Sequence, residues 1–104
     1  MAIYQTAHYQ VRDPGIATVT SAIAEFVEYV RDHEPGTKFY AAWQQVDDPT
    51  RFVHLFIFED EAAQAAHSES AAVRRFEAAY TPELVAGPVV FTDYRDVATN
   101  RRML

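Results

Sequence analysis

The chain has 104 residues, of which 49% are hydrophobic and 13% aromatic, a composition typical of one folded domain. Its net charge of −6 disfavours nucleic acid and anionic lipid as partners, and the absence of cysteine excludes disulfides, zinc–thiolate sites and thiol nucleophiles. No apolar run approaches the ~20 residues of a membrane span and no signal peptide is visible, so the sequence predicts a cytoplasmic protein.

The first two predicted elements are a strand and a helix. Residues 3–12 alternate with a period of two, as expected of a strand. One face carries Ile3, Ala7, Tyr9 and Val11, and the other carries Tyr4, Thr6, His8 and Gln10. Asp13 and Pro14 suit the start of a helix, because a carboxylate accepts free backbone N–H groups and proline has none to lose. Its apolar stripe is Val19, Ile23, Phe26, Val27 and Val30, and His33-Glu34-Pro35-Gly36 ends it.

The next two elements are strands over residues 37–46 and 51–59, joined by a turn so short that they must pair as a hairpin. In the second strand, Tyr40 and Trp43 lie on opposite faces. The third strand is apolar on both faces, one with Phe52, His54, Phe56 and Phe58 and the other with Val53, Leu55 and Ile57. Both faces of this strand must therefore be buried against other parts of the protein or a partner, away from water.

The last elements are two helical pieces and a strand. Residues 61–67 form a short helix, and Ser70 can cap a second helix over residues 71–80. Residues 81–85 add a helical turn with Leu84 and Val85 inward, and Gly87-Pro88 opens a fourth strand over residues 89–97.

The element order βαββαβ predicts an α+β fold, a ferredoxin-like antiparallel sheet with helices on one face. The domain is expected to cover residues 1–97, followed by a polar tail over residues 98–104. Two helical segments cover only one face of such a sheet, whereas the third strand is apolar on both. Another copy of the same sheet is the simplest cover for the second face, so a homodimer is expected.

Three segments carry a pattern that is recognisable beyond periodicity. They are Glu34-Pro35-Gly36-Thr37 with Tyr40, then Asp48-Pro49-Thr50-Arg51-Phe52, and Phe58-Glu59-Asp60-Glu61-Ala62-Ala63 running into Ala66-His67 and Ser70. Together they resemble the antibiotic biosynthesis monooxygenase family of the dimeric α/β-barrel superfamily. The resemblance implies two sheets packed face to face as a barrel across a dimer, with a cavity in each subunit between its sheet and its helices.

The resemblance also implies several activities. Members of the family include oxygenases that convert aromatic phenols or quinols to quinones without metal or flavin, haem-degrading proteins, and isomerases of small phosphorylated sugars. Where the family often has tryptophan at the end of the third strand, this chain has Phe58. The haem-degrading branch carries a first-strand asparagine, matched here by His8, and a ligating histidine on the last helix. Residues 73–80 contain no histidine, so haem degradation is not expected.

A cofactor-independent oxygenase needs a base, because a phenolate gives an electron to O₂ far more readily than a phenol does. It also needs hydrogen bonds that hold the resulting anion. The candidate catalytic residues are His54, His8, Tyr40 and His67, and the candidate substrate-binding residues are Phe56, Phe58, Trp43, Phe76 and Tyr80. If the polar face of the first strand lines the cavity, His8 can pair with His54 on the neighbouring strand.

Each candidate also has a structural explanation. His54 can pack on the sheet and bond a neighbour, and His8 can face solvent or the partner subunit. His67 suits a helix end as a cation, and Trp43 suits the core of a dimer.

The four histidines match no metal-binding spacing, and no phosphate-binding glycine loop is present, so neither a metal nor a nucleotide cofactor is expected. The leading hypothesis is a homodimeric monooxygenase that oxidises an aromatic phenol or quinol with O₂ alone. The alternative is a non-catalytic or accessory dimer that holds a small hydrophobic molecule in the same cavity. An isomerase or lyase fits less well, because the third strand is too aromatic for a polar substrate.

Overall fold

A computed structural model describes residues 1–101 as one four-stranded antiparallel sheet with helices packed against it. The strands are β1 (Ile3–Val11), β2 (Thr37–Gln44), β3 (Arg51–Phe58) and β4 (Leu84–Tyr94), and the helices are α1 (Ile16–His33), α2 (Glu61–Ser68) and α3 (Ala71–Tyr80). The strand order in the sheet is β2-β3-β1-β4. This arrangement confirms the predicted α+β, ferredoxin-like fold.

The helix termini follow local sequence signals with one exception. The Asp60 side chain accepts the backbone N–H of Ala63 at the start of α2, and Ser70 accepts that of Val73 at the start of α3. Asp13 does not cap α1 as predicted, because residues 13–15 form a separate 3₁₀ turn and α1 begins after it. Within residues 1–101, no helix combines the length and apolar composition needed to cross a membrane.

The fourth strand differs most from its prediction. It begins at Leu84 rather than at residue 89, because Leu84 pairs with Val11 and Val85 pairs with Gln10 on β1. A register shift then accommodates Ala86 and Gly87, whose φ angles are 60° and 105°. Gly87-Pro88 is thus part of a bulge inside the strand rather than its start. Of the predicted polar tail, residues 102–104 lie outside the described residues.

The two faces of the sheet have different surroundings. On the helix side, the buried core contains Tyr9, Val11 and Phe52 from the strands together with Phe26 and Val30 from α1 and Phe76 and Tyr80 from α3. A buried phenylalanine stabilises the fold by roughly 1.5–3 kcal/mol, so β3, which buries Phe52, Phe56 and Phe58, is a major contributor. The opposite face leaves Trp43 57%, Val90 54% and Tyr94 55% exposed. We call this second surface the open face.

Candidate functional site

A cavity of about 190 Å³ lies between the helix side of the sheet and the helices α1, α2 and α3. Its apolar walls include Phe56 and Phe58 from β3 and Phe76 and Tyr80 from α3. The period of two along β3 and the four-residue spacing on α3 place both pairs on the cavity side. The polar groups that reach the cavity include Tyr9, Tyr40, His54 and His67.

His54 lies at the centre of the sheet, 1% exposed, with a tyrosine hydroxyl at each ring nitrogen. The hydroxyl oxygen of Tyr9 is 2.7 Å from Nε2, and that of Tyr40 is 2.8 Å from Nδ1. The register explains this geometry, because the residues directly opposite His54 are the small Ala7 and Ala42. The two tyrosines lie diagonally across from His54, one on each neighbouring strand. The small alanines leave space for the tyrosine side chains to contact the imidazole.

Burial decides the charge of this trio. Desolvation lowers the pKa of His54 to about 4, so the imidazole is neutral at pH 7. The same effect raises the pKa of the Tyr9 and Tyr40 hydroxyls well above the ordinary value, so both keep their protons. The three side chains therefore form a neutral hydrogen-bonded chain inside an aromatic wall.

A second polar pair joins α2 to the end of α1. Nδ1 of His67 lies 2.7 Å from Oε1 of Glu34, and the two side chains are only 12% and 10% exposed. Thr37 Oγ1 donates to the same carboxylate oxygen at 2.8 Å, whereas Oε2 is buried and has no hydrogen-bond partner among the described residues. With Glu34 ionised, the imidazole donates its Nδ1 proton to the carboxylate, and the lone pair is left on Nε2.

The close approach of α2 to the start of β2 makes this pair possible. Gly36 lies beside Ala63 of α2, and a Cβ atom added to Gly36 would be 2.6 Å from the Ala63 Cβ. Real Cβ atoms do not come so close, so α2 can pack here only because residue 36 is glycine. The packing brings His67 on α2 next to Glu34, which lies two residues before Gly36.

The predicted site residues fall into two groups. His54, Tyr40, His67, Phe56, Phe58, Phe76 and Tyr80 all line the one cavity. His8 and Trp43 do not, because both lie opposite Val53, whose side chain belongs to the open face. The side chain of His8 therefore cannot reach His54, as it would if its face lined the cavity. His8 and Trp43 instead border a separate groove of about 540 Å³ on the open face.

Two residues of the cavity's polar framework, Tyr9 and Glu34, were missed in the sequence. A signal for Tyr9 was present, since a tyrosine on the buried face of a strand needs a partner for its hydroxyl. Glu34 lies within one of the segments that carry the family resemblance, but its place beside Pro35 and Gly36 indicated only a role in ending the helix. Among the described residues, no three His, Asp or Glu side chains are grouped closely enough to hold a metal ion.

Comparison with known proteins gives one family. Residues 2–79 match the sequence model of the family described as "Antibiotic biosynthesis monooxygenase". A protein from Nitrosomonas europaea, provisionally described by the same family name, is 23% identical with a TM-score of 0.84, over 92% of this chain and 90% of that one. Rv0793 from Mycobacterium tuberculosis is 16% identical with a TM-score of 0.85, over 97% and 100% of the two chains. No functionally curated protein matches the sequence at a significant level.

Proposed function

The chain belongs to the antibiotic biosynthesis monooxygenase family, and we propose that it oxidises a small aromatic phenol or hydroquinone with O₂, without a metal or an organic cofactor. The observation that carries the proposal is the His67–Glu34 pair at the wall of an aromatic cavity. The cavity of about 190 Å³ is smaller than the ~300–1,000 Å³ typical of drug-sized ligand sites. This size favours a substrate of one or two rings.

His67 is the proposed base. Glu34 fixes the orientation of the ring through Nδ1, and Nε2 forms no hydrogen bond with the described residues. A phenol bound between Phe56, Phe58 and Phe76 would give its proton to Nε2. The carboxylate stabilises the imidazolium that forms, as the buried acid does in hydrolase triads. His54 is a poorer base, because both of its nitrogens are already bonded to tyrosine hydroxyls.

The oxygen chemistry then balances without an external reductant. The phenolate transfers an electron to O₂, and the two radicals combine to form a carbon–oxygen bond at a ring carbon that carries hydrogen, para to the phenolate oxygen in a phenol and ortho to it in a hydroquinone. The His67 imidazolium returns its proton to the peroxide. Loss of the ring proton and of hydroxide from the hydroperoxide leaves the quinone and one water. One oxygen atom thus enters the product and the other becomes water, and all four electrons come from the substrate.

We also propose that two copies pair through the open face to form the α/β barrel. Trp43, Val90 and Tyr94 are more than half exposed on this surface, beside the partly buried Val53 and Leu55. Exposed aromatic and aliphatic groups gathered on one face of a sheet are typical of a subunit interface. The cavity lies on the other side of the sheet, so pairing would leave it available to a small molecule.

The direct test is oxygen uptake by the purified protein with one- and two-ring phenols and hydroquinones, with quinone formation followed by absorbance. We expect a rate above buffer for at least one compound, and a loss of about 10²-fold or more in the His67→Gln variant. His33→Gln is the matched control, because His33 is exposed at the end of α1 and lines no part of the cavity. A wild-type rate that never exceeds buffer would overturn the oxygenase proposal. Tight binding of a phenol without oxygen uptake would support the non-catalytic binding dimer instead.

A further inference from the structure

The Tyr9–His54–Tyr40 chain contains one proton more than its own hydrogen bonds use. A neutral imidazole carries one N–H and one lone pair, and each tyrosine carries one O–H, which makes three protons. The two bonds at 2.7 and 2.8 Å use two of them. Among residues 1–101, the structure gives neither hydroxyl another hydrogen-bond partner. One hydroxyl proton is therefore left over, and both tyrosines line the cavity.

The tautomer of His54 decides which hydroxyl holds that extra proton. With the proton on Nδ1, His54 donates to the Tyr40 oxygen and accepts from Tyr9, so the Tyr40 O–H is available. With the proton on Nε2, the pattern reverses and the Tyr9 O–H is available. A ligand oxygen that accepts a hydrogen bond from one of these hydroxyls therefore selects one tautomer of a ring that it does not touch.

The surroundings favour Tyr40 as the donor. Its ring centroid is 5.8 Å from that of His67, where the phenol would lose its proton, and it stacks on Phe56 in the cavity wall at 5.2 Å. The ring of Tyr9 is stacked between Phe52 and Tyr80, each at 5.6 Å. The oxygen of an ionised phenol beside His67 would thus lie nearer to Tyr40 than to Tyr9.

We propose that His54 is a positioning residue that takes the Nδ1–H tautomer when ligand binds, which leaves the Tyr40 hydroxyl free to donate to the ionised oxygen of the phenol. The inference rests on the proposed function, since it assumes a phenol in this cavity. It assigns Tyr40 as the group that donates a hydrogen bond to the substrate anion. Tyr9 is the group that donates to Nε2 of His54 and so stabilises the Nδ1–H tautomer.

The tautomer itself can be measured by ¹⁵N NMR of the histidine rings, because protonated and unprotonated ring nitrogens have well-separated shifts. The probe is 4-nitrophenol, which is too electron-poor to be oxidised readily and whose phenolate absorbs visible light. In the complex we expect a protonated Nδ1 and an unprotonated Nε2 on His54. The Nε2–H tautomer in the complex would overturn the inference.

Affinity for 4-nitrophenolate supplies the second readout. Tyr40→Phe removes the donor and should weaken binding at least about tenfold, as expected for a hydrogen bond to a charged group. Tyr9→Phe leaves the Tyr40 hydroxyl in place and should change binding by less than about threefold. Tyr29→Phe on α1 is the control, since Tyr29 does not line the cavity. Equal losses in the Tyr9 and Tyr40 variants would overturn the assignment.

The outcomes separate this inference from the proposed function. A protein that binds 4-nitrophenolate with the expected tautomer but never consumes O₂ would leave the inference standing and remove the oxygenase. Oxygen consumption together with the Nε2–H tautomer in the complex would support the oxygenase proposal and overturn the inference about His54. Failure to bind any phenol would remove both.

Discussion

Nδ1 of His67 lies 2.7 Å from Oε1 of Glu34, a contact between residues 33 positions apart in the chain. It connects the short helix α2 to the end of α1 and leaves Nε2, the second ring nitrogen of His67, without a hydrogen-bond partner among the described residues. Because both side chains are largely buried, water competes little for this bond. One pair thus links a feature of the fold to the proposed chemistry.

Glu34→Gln should lower kcat/KM for the best phenol by about 10–100-fold, as is typical when the partner that orients a functional histidine is lost. The amide can still hold the ring but cannot stabilise the imidazolium by charge. Oxygen uptake measures the effect, and Glu28→Gln, an exposed change on α1, is the matched control. An unchanged rate would show that Glu34 has only a structural role.

Gly36→Ala should displace α2, because the new Cβ would lie 2.6 Å from the Ala63 Cβ. Overpacking of this kind costs about 1–3 kcal/mol of unfolding free energy, and it should also reduce oxygen uptake by moving His67. Urea unfolding measures the first effect.

The double variant Gly36→Ala with Ala63→Gly tests the cause. It removes the opposing methyl group and should recover most of the lost activity, although glycine within α2 costs about 1 kcal/mol by itself. If the effects of the two substitutions on stability and activity simply add, the contact between residues 36 and 63 is not the reason that Gly36→Ala loses activity.

Stability should fall with acid through His54. Its pKa is about 4 in the folded protein against 6.5 for the free side chain, so as the pH falls the unfolded chain takes up the proton first. The stabilisation is therefore complete above pH 6.5 and is lost progressively between pH 6.5 and about 4. At about 1.4 kcal/mol per pKa unit, the loss amounts to roughly 3 kcal/mol.

Urea unfolding at a series of pH values from above 6.5 down to about 4 checks this expectation across the whole window. His54→Gln, which has no titrating ring, should show a shallower dependence on pH than the wild type, even if it is less stable throughout. His33→Gln controls for the loss of an exposed histidine. Parallel curves for the wild type and His54→Gln would contradict the prediction.

Trp43→Glu should separate the proposed dimer, because it places a charge on the apolar surface through which the two sheets are proposed to pair. Sedimentation at micromolar concentration should show a dimer for the wild type and a monomer for the variant. Val46→Glu is the control, since Val46 is 97% exposed in the turn after β2. A wild-type monomer at this concentration would overturn the dimer.

Local signals in the sequence determined most of the fold. The period of two in residues 3–12 and 51–59, the apolar stripe that predicts α1 and the cap at Ser70 all describe short stretches of chain. They succeeded because periodicity and capping depend on neighbours within a few residues. The start of β4 was wrong for the opposite reason, since Leu84 and Val85 are held in the strand by pairing with β1, more than 70 positions away.

The sequence alone thus determined the element order, the ferredoxin-like class, the family and a third strand apolar on both faces. Only the tertiary structure decided that the His54 face, rather than the Val53 face, points to the helices, which puts His67 and Tyr40 with His54 and leaves His8 and Trp43 on the other side. The physical reason is that alternation along a strand divides residues between two faces without saying which face the helices cover. Contacts such as Tyr9 with His54 form between residues 45 positions apart, so they depend on strand register and helix packing and leave no local pattern.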